Sequence, residues 1–169
     1  MFLIAHRGNI SGPNPEKENH PDYILSCIAE GYHAEVDLWR FEGSWVLGHD
    51  KPQYEIGEDF FERNDIFNCI WVHAKNIRAL YTMATTKRYQ KWNYFWHEED
   101  DFTLTNKNFI WTFMDKKLTP RSICVMPEKS NYTMQDIKTC AGVCSDYIKH
   151  YSGELNEQFS INNMDKHRV

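Results

Sequence analysis

A chain of 169 residues is long enough for one domain with a real core and short for two. Apolar residues make up 41% and aromatic residues 15%, which excludes a disordered chain. The formal charge is −5 and no stretch of Lys and Arg stands out, which gives no electrostatic footprint for nucleic acid, short of a local basic patch, and no nucleic-acid partner is expected.

Phe2 to Ala5 is a continuous apolar run, which predicts a buried strand delivering His6, Arg7 and Gly8 at its C-terminal end. The run is too short for a membrane span and no charged leader precedes it. No signal peptide and no integral membrane segment are therefore expected, and the expectation is a soluble, cytoplasmic protein. A loop rich in Gly, Pro and Asn follows from Asn9 to His20. Pro21 and Asp22 suit the first turn of a helix, Ile24, Cys27 and Ile28 repeat at helical spacing, and Gly31 can end it. His33 to Trp39 alternates as a strand, a tight turn at Glu42-Gly43 leads to a second strand over Ser44 to Leu47, and Gly48-His49-Asp50 comes next.

Residues 51 to 68 are polar and carry no clear period. Cys69 to Ala74 reads as a buried strand ending in Lys75, and Asn76 is placed to cap a helix running to Thr85. Asn93 to His97 is strand-like. Phe102 to Thr105 and Phe109 to Phe113 would pair as a hairpin through Asn106-Lys107-Asn108. Ser122 to Met126 is a further apolar strand, Thr133 to Cys140 a short helix, and Gly142 to Ser145 a last strand ending in Asp146. The five cysteines are odd in number and form no C-x-x-C pair, so reduced, mostly buried thiols are expected rather than disulfides or structural zinc.

Alternating strands and helices argue for an α/β fold with a largely parallel sheet. Polar residues recur at strand ends, at His6, Asp37, Lys75, His97, Glu128 and Asp146. In a closed barrel such ends converge on one face, where active sites sit. The expected architecture is a compact, trimmed (β/α)₈ TIM-type barrel with reduced outer helices. It would occupy residues 1–152 as a single domain, with 153–169 as a polar C-terminal tail.

The chemistry-bearing residues lie at these strand ends. Glu35 and Asp37 share one strand face, where two buried carboxylates repel each other and lose hydration; a bound divalent cation relieves both costs. Arg7 keeps its charge and suits a phosphate, while His6 exchanges a proton near neutral pH. His49 is similar, with Asp50 beside it to orient the ring. Lys75 shares a face with His73 and could neutralise an anion. Within the acidic run that follows Trp96, His97, Glu98 and Asp101 are the better site candidates because strands flank them. Trp111 is the tryptophan best placed to line a pocket, and Trp39, Phe41 and Trp45 fall near the expected mouth.

The order of these pieces is more specific than any one of them. Ala5-His6-Arg7-Gly8-Asn9, Lys17-Glu18-Asn19-His20, Glu35-Val36-Asp37-Leu38, Gly43 to Asp50 and Val72-His73-Ala74-Lys75 follow one another in a sequence that resembles the glycerophosphodiester phosphodiesterase family and its sphingomyelinase D relatives. Gly142 to Tyr147 is similar to that family's closing strand. Agreement is dense over residues 2 to 75, thin from 76 to 141, and returns briefly near 146.

The resemblance implies a barrel with a metal near its mouth and a metal-dependent phosphoric diester hydrolase acting on a small glycerophosphodiester-like substrate. It implies His6 and His49 as the acid/base pair, with Arg7 and Lys75 holding the phosphate. Glu35 and Asp37 would ligate the metal, and Glu18 would fix the first loop against Arg7. The expected ion is Mg²⁺ or Ca²⁺, with Mn²⁺ or Zn²⁺ as the alternatives because this chain has His73, a ligand suited to softer ions, where the family has Glu or Asp. Glu98 is an alternative source of the missing oxygen, and His97, Glu98, Glu18 and Trp111 are the expected substrate contacts. Two other functions stand beside this one: a non-catalytic module binding a phosphate-bearing ligand on the same scaffold, and a lipid phosphodiesterase of sphingomyelinase or phospholipase D type.

Overall fold

The computed structural model describes residues 1–155; the rest of the expected tail, from 156 on, lies outside the described residues. In chain order the strands are β1 (Phe2–Ala5), β2 (His33–Phe41), β3 (Ser44–Leu47), β4 (Tyr54–Ile56), β5 (Ile70–Ala74), β6 (Asn93–Phe95), β7 (Phe102–Leu104), β8 (Ile110–Thr112), β9 (Ser122–Val125) and β10 (Gly142–Ser145). The helices are α1 (Pro21–Ala29), α2 (Phe60–Arg63), α3 (Ile77–Thr85), α4 (Met134–Ile137) and α5 over residues 148–155. The expected tail from residue 153 thus begins inside α5, where Leu155 is buried.

The caps account for where the helices start. In α1, Pro21 occupies the first turn and His20 Nδ1 accepts the Asp22 N–H. In α3, Asn76 Oδ1 accepts the Ala79 N–H at 2.9 Å. Thr133 and Asp136 form a reciprocal capping box on α4. The hairpin between β2 and β3 turns on Glu42 (φ 48°) and Gly43 (φ 88°), a two-residue turn whose twist matches its strands.

The ten strands form one mixed sheet among the described residues. Its parallel part runs β6-β5-β2-β1-β10-β9-β8, and β3, β4 and β7 add antiparallel margins. β2 is long because it serves three neighbours: β1 at its start, β5 through its middle and β3 at its end.

The sheet curls without closing. Phe95 on β6 stacks on Trp111 of β8 with ring centroids 4.4 Å apart, although five strands separate β6 from β8 in sheet order. Phe2 meets both Trp71 and Phe109 at 5.3 Å. No strand ladder among the described residues joins β6 to β7 or β8. Backbone and side-chain hydrogen bonds outside the ladders bridge that gap instead. The Asn106 N–H donates to the Tyr94 carbonyl (3.0 Å), Asn106 Oδ1 accepts the Tyr94 N–H (2.9 Å), and Thr103 Oγ1 donates to the Trp96 carbonyl (2.7 Å). The closed eight-fold barrel expected from the sequence is therefore replaced by an open, strongly curled α/β sheet. The cause is local: β7 runs antiparallel to β8, and the short β6 has no full-length partner on its outer side.

Strand periodicity divides the apolar residues between two cores. Ala5, Ala34, Val36, Leu38, Ile70, Val72, Ala74, Cys124 and Val143 face outward and pack under the helices. Ile4, Trp71, Phe95, Trp111, Ile123, Val125 and Cys144 face inward and fill the concave side. All five cysteines are unpaired. No helix among the described residues is long and apolar enough to cross a membrane.

Candidate active site

The inward positions one step beyond the apolar filling, toward the C-terminal ends of the parallel strands, are polar. Glu35 and Asp37 on β2, His73 on β5, His6 after β1 and His97 after β6 line one pocket of about 250 Å³ with Arg7, His49 and Trp111. The site residues expected from the sequence lie at this pocket or in contact with its lining, apart from Glu98 and Asp101.

The first loop is held in an unusual conformation. His6 to Gly8 form a 3₁₀ turn in which Arg7 adopts φ 53°, ψ 24°, a left-handed geometry that costs a non-glycine residue energy and is retained where function uses it. This turns the Arg7 N–H onto Glu35 Oε2 (3.2 Å). Gly8 follows at φ 88°, where a Cβ would stand 2.9 Å from the Tyr23 ring. The Arg7 side chain reaches Glu18 Oε2 at 3.0 Å and lies with Nε 3.1 Å from Asp37 Oδ2. Glu18 also accepts from Asn9 Nδ2 at 2.9 Å, so it ties the loop to itself.

Asp37 is the most heavily contacted carboxylate. Its Oδ2 accepts from Asn19 Nδ2 (2.9 Å), and its backbone N–H donates to Asn19 Oδ1 (2.9 Å). Its Oδ1 lies 3.1 Å from His73 Nδ1 and 3.5 Å from Lys75 Nζ. Burial works against its charge, but the His73 hydrogen bond and the charges of His73, Arg7 and Lys75 hold it well below the usual carboxylate range. For Glu35 the balance reverses: burial pushes its carboxyl up and the Asp37 charge adds to that. Two carboxylates on one strand face thus share a site that a single added cation would even out. Glu35, Asp37 and His73 are all buried and offer ligand atoms within 4.8 Å of one another, a group that could hold a metal ion.

The two candidate acid/base histidines each pair with an aspartate. His6 Nδ1 donates to Asp146 Oδ1 at 2.8 Å, and Asn9 Nδ2 bonds the same oxygen at 2.8 Å. His49 Nδ1 donates to Asp50 Oδ1 at 2.6 Å. Their surroundings push them apart. Burial disfavours charge on His6, but the Asp146 bond and the Glu35 carboxylate more than offset it, and its pKa rises. Burial lowers the His49 pKa, and the charges of Arg7 and Lys75 add to that. Asp50 is 90% exposed and holds His49 only weakly against these effects, whereas Asp146 is buried. Gly48 sets the approach of His49: at φ 144°, a Cβ would stand 2.2 Å from the Lys51 carbonyl.

His97 stacks on His73 with centroids 4.4 Å apart. Burial and the neighbouring His73 push its pKa down to about 4, so the ring is neutral at pH 7. Glu98 is where the structure departs from expectation. Its side chain is exposed and lines no part of the pocket; its backbone carbonyl takes the His97 Nδ1–H at 3.2 Å. An acidic run keeps its hydration more cheaply in solvent than in a pocket already holding Glu35 and Asp37. Asp101 is also turned away, paired with Lys116 at 2.8 Å. Of the aromatics expected at the mouth, Trp45 is buried in the outer core and Trp39 donates to the Gly48 carbonyl.

Sequence reasoning did not place several contributors. Asp146 and Asn9 position His6, and Asn19 positions Asp37. The signal was partly legible, since Asn9 and Asn19 sit inside the motif-bearing loop. Phe113, Met114, Val125 and Met126 form an apolar wall facing the charged groups, with Lys129 at its edge. No local pattern marks those residues, because they reach the pocket only through the curl of the sheet.

No protein-family model, curated protein or solved structure matches this chain.

Proposed function

We propose that this chain is a metal-dependent phosphoric diester hydrolase using two histidines, a relative of the glycerophosphodiester phosphodiesterases on a trimmed barrel-like sheet. The observation that carries this reading is the convergence of two oppositely tuned His–Asp pairs, Arg7 and a buried Glu-Asp-His group on one pocket, with Lys75 paired to Asp37 beside it.

A phosphodiester is a stable anion that repels an attacking oxygen. Arg7, with its charge fixed by Glu18 and Asp37, and Lys75 attract the phosphoryl oxygens and offset charge gained in the transition state. Glu35, Asp37 and His73 would hold a divalent ion, which when bound would supply Lewis-acid stabilisation to those oxygens. The raised pKa of His6 favours its protonated form and suits it to give a proton to the leaving alcohol. The lowered pKa of His49 leaves Nε2 free to take a proton from the nucleophile, a substrate hydroxyl or water. The substrate is a small phosphodiester, with a glycerophosphodiester as the reference case.

A second reading, a lipid phosphodiesterase, is favoured by one observation: the pocket wall of Trp111, Phe113, Met114, Val125 and Met126 offers apolar contact rather than partners for a polyol. The test for both is hydrolysis of bis-(p-nitrophenyl) phosphate by the chelator-treated protein with Mg²⁺, Ca²⁺, Mn²⁺ or Zn²⁺ restored singly. Turnover that returns with an ion and is lost in Glu35→Gln supports the hydrolase. Ligand binding with no turnover under any ion supports a non-catalytic module instead. A glycerophosphodiester and a long-chain lysophospholipid, compared at equal concentration, separate the two enzyme readings.

A further inference from the structure

We infer that His73 is a ligand through Nδ1, with its tautomer locked by the protein, and that this makes the centre select a first-row transition ion such as Zn²⁺ or Mn²⁺ over Mg²⁺ and Ca²⁺. The inference rests on the metal-centre part of the proposed function and concerns which ion that centre takes.

The hydrogen bonds around the three residues turn one ligand atom of each toward the others. Glu35 Oε2 is taken by the Arg7 N–H, which leaves Oε1. Asp37 Oδ2 is taken by Asn19, with Arg7 beside it, so Oδ1 is the oxygen turned to His73 Nδ1 at 3.1 Å and to Lys75 Nζ at 3.5 Å. His73 Nε2 lies 3.2 Å from the His97 carbonyl oxygen, a group that only accepts, so Nε2 carries the hydrogen. Nδ1 is the nitrogen that faces the carboxylates: it donates to Asp37 Oδ1 at 3.1 Å and lies 4.0 Å from Glu35 Oε1. A bound cation would take the place of that Nδ1 proton among the three atoms. For a metal bound at about 2.1 Å, neighbouring ligand atoms stand roughly 3 Å apart, the scale of the His73–Asp37 separation.

The support behind the ring is of the kind metal-bound histidines use, a backbone carbonyl on the far nitrogen. Phe95 and His97 both pack parallel to the imidazole, with centroids at 5.3 and 4.4 Å, and fix its plane. An imidazole nitrogen adds affinity for transition ions and little for hard ions that prefer an all-oxygen shell.

The test uses Co²⁺ as the probe for this ion class. Titration calorimetry on the chelator-treated protein compares Co²⁺, Mg²⁺ and Ca²⁺ in the unaltered chain and in His73→Glu. The expected result is Co²⁺ binding at least ~10-fold tighter than Mg²⁺, with that ratio falling by ~10-fold or more in His73→Glu. Proton NMR of the Co²⁺-loaded unaltered chain, which needs no variant to fold, should show a hyperfine-shifted exchangeable resonance from the His73 Nε2–H. Binding of Co²⁺ without that resonance overturns the inference, as does an ion ratio unchanged by His73→Glu. Absence of ion binding in the unaltered chain, with Mg²⁺ binding gained in His73→Glu, also overturns it, because the ring is then an imidazolium serving as the site's own cation. None of these readouts involves substrate, so a failed hydrolysis assay leaves them standing.

Discussion

The same strands carry two different layers on their inward face. The lower layer holds Phe2, Ile4, Trp71, Phe109 and Ile123, an aromatic and aliphatic plug. One or two inward steps along the same strands, the layer becomes His6, Glu35, Asp37 and His73, with Asp146 at His6. The contrast shows how the fold can hold buried charge at all. Ladder hydrogen bonds and the plug fix the strands, and the charged layer sits where strand ends and loops bring Asn19, Asn9 and Arg7 within hydrogen-bonding or ion-pairing reach. The plug also keeps water from beneath the site, which strengthens every charge interaction above it.

If the upper layer is the chemical one and the lower layer the structural one, substitutions in the two should fail differently. Replacing His6 or His49 with Ala should lower kcat for a phosphodiester by ~10²-fold or more while far-UV circular dichroism is retained. Near-full turnover in both variants removes the acid/base assignment. In the lower layer Trp71→Ala should instead lower unfolding stability by about 3–5 kcal/mol, read by urea denaturation, because Trp71 is buried against Phe2, Phe109 and Trp111.

The pH profile sharpens the comparison further. His49, with its pKa below the ordinary value of about 6.5, must be deprotonated as base, and His6, with its pKa above that value, must be protonated as acid. The rate should therefore rise with pH through an acid limb below about 6.5 and fall through an alkaline limb above about 6.5. Asp146 raises the His6 pKa, so Asp146→Asn should move the alkaline limb to lower pH and leave the acid limb in place. The smallest effect expected is at Glu98, whose exposed side chain lies outside the pocket: Glu98→Ala should change kcat/KM by no more than about twofold.

Much of this was legible in the sequence where the cause is local. The alternation of Glu35 and Asp37 with Val36 and Leu38 placed both carboxylates on one strand face, and Asn76 marked the start of α3. The polar ends of β1, β2, β5 and β6 marked the pocket. What could not be read depends on distant partners. The stretch from 51 to 68 has no period because β4 pairs only as an edge strand and α2 is a single turn. Asp146 finds His6 through the pairing of β10 with β1, a contact 140 residues apart in the chain. The open seam between β6 and β7 depends on the Asn106 side chain taking the place of a strand, which no propensity encodes. Glu98 was misplaced because flanking strands say where the backbone passes and not which way a charged side chain turns.

The central claim is that the upper layer gathers around one cation. An anomalous difference map from crystals soaked in Co²⁺ and measured at the cobalt edge tests it most directly. The account predicts a single strong peak bounded by the carboxylates of Glu35 and Asp37 and the Nδ1 of His73. A map with no peak there under saturating Co²⁺, or with its only peaks at surface residues, contradicts it.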